Sequence, residues 1–233
     1  MKIKTFFSLI LFFCLFPSLS NSDDTFNPCG IAPGLTYLDP YTLVSNKDFW
    51  RDFPPYSENG ELNVIVEIPT GRTEKWEVRK SDGALVWDFK KGKPRVLKFI
   101  GYPGNYGMIP QTLLSEELGG DGDPLDVIVL GPPIPRGSVV QARLIGVLKL
   151  LDGGEQDDKL IAVSLKSPFY KIDTLGELDK KFPGISNILE NWFVNYRGPG
   201  EMESGGFFGL EEAQLILKKA SKQFKRSNAR LEN

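Results

Sequence analysis

Hydrophobic period changes once along this chain, and the change limits the folds open to it. Up to Ser164 the apolar residues fall in short runs of strand character. The runs are 62–68 (LNVIVEI), 74–78 (EKWEV), 84–89 (ALVWDF), 126–130 (DVIVL), 139–151 (VVQARLIGVLKLL) and 159–165 (KLIAVSL). Turns such as PTGRT and SDG, or loops rich in Pro, Gly and Asp, separate them. After Pro168 the spacing becomes helical. Ile185, Ile188, Leu189, Trp192, Phe193 and Tyr196 form one stripe, and Leu210, Ala213, Leu217, Ala220 and Phe224 form a second. Many short strands followed by two helices predict an α+β domain, with a closed or nearly closed β-barrel and C-terminal helices beside it. The 233 residues contain no internal repeat and suit a single domain.

The flanks read differently. Lys2 and Lys4 precede an apolar run at 6–16 (FFSLILFFCLF), and small polar residues lead to Ser22. That order predicts a secretory signal over 1–22 and a protein exported to a periplasm or to the outside. Residues 23–60 lack periodicity and are read as an extended arm that packs Phe49, Trp50, Phe53 and Tyr56 on the body. The basic stretch after Lys218 suggests fraying, with 226–233 as a loose tail. Cleavage would remove Cys14 and leave Cys29 without an intramolecular partner, either as an idle thiol near a loose terminus or paired with another chain.

Composition removes several chemistries. The chain has no histidine, which excludes Ser-His-Asp triads, Cys-His pairs and imidazole metal sites. Any metal must be a hard cation held by oxygen, such as Mg²⁺, Mn²⁺ or Ca²⁺. A formal net charge of −2 gives no basic surface for nucleic acid.

The sharpest local feature is Asp121-Gly-Asp123-Pro-Leu-Asp126, entering the apolar run at Val127. Gly122 frees the backbone, while Pro124 restricts both its own φ and Asp123. Two carboxylates ~4 Å apart repel by about 4 kcal/mol at an effective dielectric near 20, so such a cluster needs spreading or cations. An EF-hand is excluded, because Asp126 and Pro132 stand where its Gly and Glu belong. A second acidic group, Asp152 to Lys159, lies between two long strands and by itself reads as a turn. Lys75 and Glu77 share one strand face at i and i+2, with Trp76 on the other. Arg95, Lys159 and Arg197 neighbour acids or tyrosines, and Tyr102-Pro-Gly-Asn-Tyr106-Gly carries two phenols. Carboxylate-held cations with Lys, Arg and Tyr donors suit an anionic, oxygen-rich substrate, either a phosphate ester or an anhydride.

These pieces together resemble the soluble family I inorganic pyrophosphatases. DGDPLD resembles the family signature. VIVEIP, KWE, SDGAL, KKGKPR, YPGNYG, GVLKLLDGGEQDDKLIAV, FPG and WFVNYR follow in the family's order across 61–225. The resemblance implies a five-stranded OB-like barrel that hydrolyses pyrophosphate to two phosphates with Mg²⁺, for which Mn²⁺ could substitute. It implies that Asp121, Asp126 and Asp157 hold the tightest ion, and that Asp152 with Asp157 holds one brought with substrate. Asp123 would be the general base acting on a metal-activated water. Lys75, Arg95, Tyr106, Lys159, Tyr196 and Arg197 would bind phosphate, and Glu67, Glu77 and Tyr102 would support them. Arg197 stands where many members carry Lys, so a planar fork replaces a point charge. The resemblance also implies a homo-oligomer, with pyrophosphate and phosphate as its small-molecule partners. No nucleic-acid partner is expected, and no membrane contact once the signal is removed.

Overall fold

The computed structural model describes residues 30–114 and 119–231. The leader at 1–22 and Cys29 therefore lie outside the described residues. The arm contributes two strands, β1 (Thr36–Asp39) and β2 (Thr42–Val44). The body begins with β3 (Leu62–Ile68), β4 (Trp76–Val78) and β5 (Leu85–Trp87), followed by a small hairpin of β6 (Phe89–Lys90) and β7 (Lys93–Pro94). Next come β8 (Asn105–Met108), β9 (Asp126–Leu130), the long β10 (Val139–Asp152), β11 (Glu155–Gln156) and β12 (Lys159–Ser164). Helices α1 (Leu175–Lys181) and α2 (Ile185–Asn195), strand β13 (Met202–Phe208) and helix α3 (Leu210–Leu231) complete the order.

Strand pairing closes on itself. β3 pairs with β8, β8 with β9, β9 with β12, β12 with β10, and β10 with β3. Only β9 and β12 run parallel in this ring. The β-branched run of β9 serves both sides of its sheet, as strand alternation requires. Ile128 and Leu130 pack with Leu189, Trp192 and Phe193 of α2. Val127 and Val129 pack with Ala213, Leu217 and Ala220 of α3. Both helical stripes read from the sequence thus face core, except at Ile188, which is 59% exposed.

The architecture is a mixed α+β fold dominated by sheet, and four details differ from the expected one. β8 begins within the glycine-rich YPGNYG segment, where Gly107 lets β8 run close to β3. A Cβ there would stand 2.0 Å from the Ile65 carbonyl oxygen. β13 forms over 202–208, outside every predicted run, because the far half of β10 offers it a free edge. α1 also went unread. Finally, the helix does not fray after Lys218: α3 continues to Leu231. Its Lys, Gln, Arg and Ala residues are good helix formers, and basic residues suit a helix C-terminus.

The arm is also more ordered than an extended strap. β2 pairs with β5, giving a four-stranded sheet ordered β1-β2-β5-β4. Phe49 and Trp50 are buried, Phe53 is partly buried against the same cluster, and Tyr56 remains exposed. Among the described residues no helix is long and apolar enough to cross a membrane.

Candidate active site

A cavity of about 530 Å³ opens at one end of the strand ring. Every side chain singled out from the sequence lines it. Glu67 comes from β3, Lys75 and Glu77 from β4 and its lead-in, and Arg95 from just after β7. Tyr102 and Tyr106 come from the YPGNYG segment, and Asp121, Asp123 and Asp126 from the turn into β9. Asp152 ends β10, Asp157 and Lys159 flank the start of β12, and Tyr196 and Arg197 follow α2.

Local chemistry sets these directions. Asp121 Oδ1 accepts the Asp123 N–H at 2.9 Å, a side-chain turn. Gly122 sits at φ 79°, a region costly for other residues, and donates its N–H to the Leu114 carbonyl at 2.8 Å. Leu125 is buried, with its N–H on Thr112 Oγ1 at 2.9 Å, and pins the end of the turn. The motif is therefore a side-chain turn as local structure, and its carboxylates are still left facing the cavity. In the second acidic group alternation divides the work. Asp157 and Lys159 face the cavity, while Asp158 accepts from the Leu150 N–H at 3.1 Å and from Gln156 Nε2 at 2.6 Å.

The cations sit among the acids. Lys159 Nζ lies 2.5 Å from both Asp126 Oδ2 and Asp157 Oδ1, and its side chain is only 3% exposed. Lys75 Nζ lies 3.8 Å from Glu77 Oε2 and 4.9 Å from the centre of the Tyr106 ring. Arg95 is held by Asp88 at 3.0 Å, and Arg197 pairs with Asp152. Two further cavity residues carried no chemistry in the sequence reading, Arg79 and Lys80. Lys80 Nζ reaches Asp123 Oδ1 at 2.5 Å and the Gly122 carbonyl at 3.0 Å. Strand alternation from Lys75 through Glu77 was the available signal for Arg79; Lys80 had none.

Protonation follows this crowding. Burial pushes the Glu67 carboxyl up to about 8, against the pull of Lys75 and with the help of Asp126. Burial likewise raises Asp157, which Lys159 opposes. Burial alone would lower the Lys159 ammonium, but Asp126 and Asp157 outweigh it and hold the charge firmly. Burial pushes the Tyr196 phenol up to about 12, and Tyr102 and Tyr106 rise for the same reason. The three phenols therefore stay protonated as donors near neutrality. Tyr196 stacks on Trp192 at 4.8 Å and Tyr102 meets it at 4.6 Å, while the Tyr106 ring meets Tyr102 at 5.0 Å.

The donor set is compatible with a hard divalent ion. Asp121, Asp126, Asp152 and Asp157 offer only carboxylate oxygens, which suit Mg²⁺. Among the described residues no three acidic groups converge on a single point, and Lys159 and Arg197 engage three of these carboxylates.

Comparison with known proteins places this chain in a family. The model of the inorganic pyrophosphatase family matches residues 64–225. The mitochondrial inorganic pyrophosphatase of Saccharomyces cerevisiae is 34% identical over 196 residues, covering 74% of this chain and 63% of that protein. A soluble chloroplastic inorganic pyrophosphatase of Chlamydomonas reinhardtii is 38% identical over 164 residues, covering 64% of this chain and 57% of its own. The chain thus spans less than two thirds of these relatives. An N-terminally truncated vacuolar soluble pyrophosphatase of Trypanosoma cruzi, crystallised with PPi, shares the fold. Its TM-score is 0.78 at 23% identity, covering 98% of this chain and 100% of that one.

The comparisons overturn one expectation. These relatives are named mitochondrial and chloroplastic, and none points to export, so the periplasmic or secreted destination is withdrawn. A basic, acid-free N-terminal stretch with serines is common to secretory and organellar leaders, so charge did not separate them. From its matched domain and its sequence relatives, the chain belongs to the inorganic pyrophosphatase family.

Proposed function

We propose that this chain hydrolyses inorganic pyrophosphate to two orthophosphates, with Mg²⁺ as its cofactor. One observation carries the reading: acids, cations and phenols from separate elements converge on one cavity of about 530 Å³. Family membership supports it, as does the shared fold with a protein crystallised with PPi. The closed ring of five strands is, on this reading, the expected OB-like barrel, and the working form is a homo-oligomer.

Asp121, Asp126 and Asp157 would hold the tightest ion, and Asp152 with Asp157 another that arrives with the substrate; Mn²⁺ could substitute. When bound, such ions neutralise phosphate oxygens and acidify water. Lys75, Arg95, Lys159 and Arg197, with Tyr106 and Tyr196, grip the two phosphoryl groups. Glu67, Glu77 and Tyr102 support them. Asp123 takes the proton of the water that attacks phosphorus. The bridging P–O bond then breaks, and the cations take up the charge of the departing phosphate. Asp123 suits this role because its side chain is 55% exposed and Lys80 holds one of its oxygens.

Phosphate release from Mg²⁺–pyrophosphate tests the reading, with Asp123→Asn beside the parent. The expected result is turnover by the parent and a loss of about 10²–10⁴-fold in the variant. A folded, Mg²⁺-loaded parent without turnover would sink the reading, and an unaffected variant would remove Asp123 from its role.

A further inference from the structure

Behind the cavity wall lies a column of three stacked side chains. The Arg136 guanidinium sits 4.5 Å from the centre of the Trp76 ring, and Trp76 stacks on Trp87 at 5.6 Å with 26° between planes. Arg136 and Trp76 are buried. None of the three supplies a phosphate-binding group, yet the column holds the backbone from which such groups project. Arg136 Nε donates to the Glu67 carbonyl at 2.8 Å. Trp87 Nε1 donates to the Arg95 carbonyl at 2.9 Å. That same carbonyl accepts the Lys75 N–H at 3.0 Å, and the Lys75 carbonyl accepts the Asp88 N–H at 2.8 Å. Trp76 itself joins Lys75 to Glu77. The column therefore sets the relative placement of Glu67, Lys75, Glu77 and Arg95, which enter from three separate stretches of chain.

Both ends of the column are held by the arm. At one end Ala32 donates its N–H to the Arg136 carbonyl at 2.8 Å, and Ile31 bridges Arg136 in parallel. At the other end Trp87 donates its N–H to the Tyr41 carbonyl at 2.8 Å, and the Tyr41 ring meets Trp87 edge-on at 6.1 Å. Packing alone would explain buried aromatics. It does not require that the Arg136 Nε and the Trp87 indole N–H each go to a site-bearing carbonyl, while the buried Trp76 indole N–H has no partner among the described residues, or that the arm grip both ends.

We infer that the arm is a positioning element of the anion grip: by clamping the Arg136–Trp76–Trp87 column it fixes the spacing of Lys75 and Arg95 across the cavity. The inference rests on the phosphate-binding role proposed for those two cations. A loosened column moves the cations off the spacing that matches two phosphoryl groups and leaves the general base untouched. The loss should therefore fall on substrate affinity.

Two variants of the full chain separate positioning from packing. Trp87→Phe keeps the stack and loses the bond to the Arg95 carbonyl, while Ala32→Pro removes the N–H that holds Arg136; neither Ala32 nor Arg136 lines the cavity. Melting temperature and near-ultraviolet circular dichroism report the fold. KM and kcat for Mg²⁺–pyrophosphate and calorimetric affinity for metal-free pyrophosphate report the grip. Each variant should raise KM and weaken metal-free binding by about three- to tenfold, the worth of one hydrogen bond, with kcat within about twofold. Unchanged KM and affinity in folded variants, or a fall in kcat alone, would overturn the inference. If Trp87→Phe is too unstable to assay, Ala32→Pro alone decides by the same criteria. Should the parent bind pyrophosphate without hydrolysing it, the proposed function falls and the calorimetric comparison still decides the column. If the parent does not bind pyrophosphate at all, both fall.

Discussion

Lys159 keeps its charge in a place where isolated charges do not survive. Its side chain is 3% exposed, so the carboxylates of Asp126 and Asp157, each 2.5 Å away, must offset the loss of water. The dependence runs both ways, since Lys159 lowers the proton affinity of Asp157 against burial and the neighbouring Asp126, which raise it. Replacing Lys159 by Met keeps the volume and leaves two partly buried acids unpaired. In chelator the variant should lose about 3 kcal/mol of stability, the usual effect of breaking one side of a buried pair. Added Mg²⁺ should recover part of that loss, and should raise the melting temperature of the variant more than that of the parent. Thermal melts with and without Mg²⁺ check this. An equal Mg²⁺ increment in both proteins would mean that the ion does not answer to these carboxylates.

At the scale of elements, the close approach of β8 to β3 is the most demanding feature near the site. A Cβ on Gly107 would stand 2.0 Å from the Ile65 carbonyl oxygen and 3.2 Å from the Val66 Cα, both backbone atoms that cannot swing away. Gly107→Ala should therefore push β8 off β3 and cost about 3 kcal/mol or more, measured by denaturant unfolding. Because Tyr106 precedes Gly107 on the same strand, phosphate release should fall as well; a variant with parental stability would refute the packing argument. The same segment illustrates what sequence pattern can carry. β3, β9, β10 and β12 were legible because β-branched runs announce buried strands, and α2 and α3 because their stripes are long. β8 was hidden by Gly107, whose purpose is visible only beside β3. β13 was hidden because its pairing edge on β10 lies some fifty residues away, as sequence positions 147–152 against 202–208 record. α1 did leave a signal, since Thr174 and Glu177 have the spacing of a capping box, and Thr174 Oγ1 accepts the Glu177 N–H at 3.1 Å. In the site, alternation placed Lys75 with Glu77, and the turn residues marked Asp121 to Asp126. That Arg95, Asp152 and Tyr196 would join them followed from the resemblance, because no spacing rule links positions so far apart.

Across the whole molecule, the arm and the last helix are tied together before either meets the site. Trp50 is buried, meets Phe224 of α3 edge-on at 5.3 Å, and donates its indole N–H to the Thr112 carbonyl at 2.9 Å. Thr112 Oγ1 in turn accepts the Leu125 N–H that anchors the acidic turn. The Leu113 N–H reaches the Ala220 carbonyl of α3 at 3.2 Å. One aromatic residue of the arm thus links the helix to the segment that carries Asp121 to Asp126. An arm that merely lay on the body would melt ahead of it and give two transitions. One that completes the core should unfold with it in a single step. Trp50→Ala removes the ring and the indole bond together, so it should cost about 3–5 kcal/mol, as large-to-small changes at buried aromatics do. Differential scanning calorimetry of parent and variant decides between the two pictures. A single transition shifted down in temperature is expected for the variant. A second, low-temperature transition appearing on its own, with the main one unmoved, would show that the arm and the body are separate folding units.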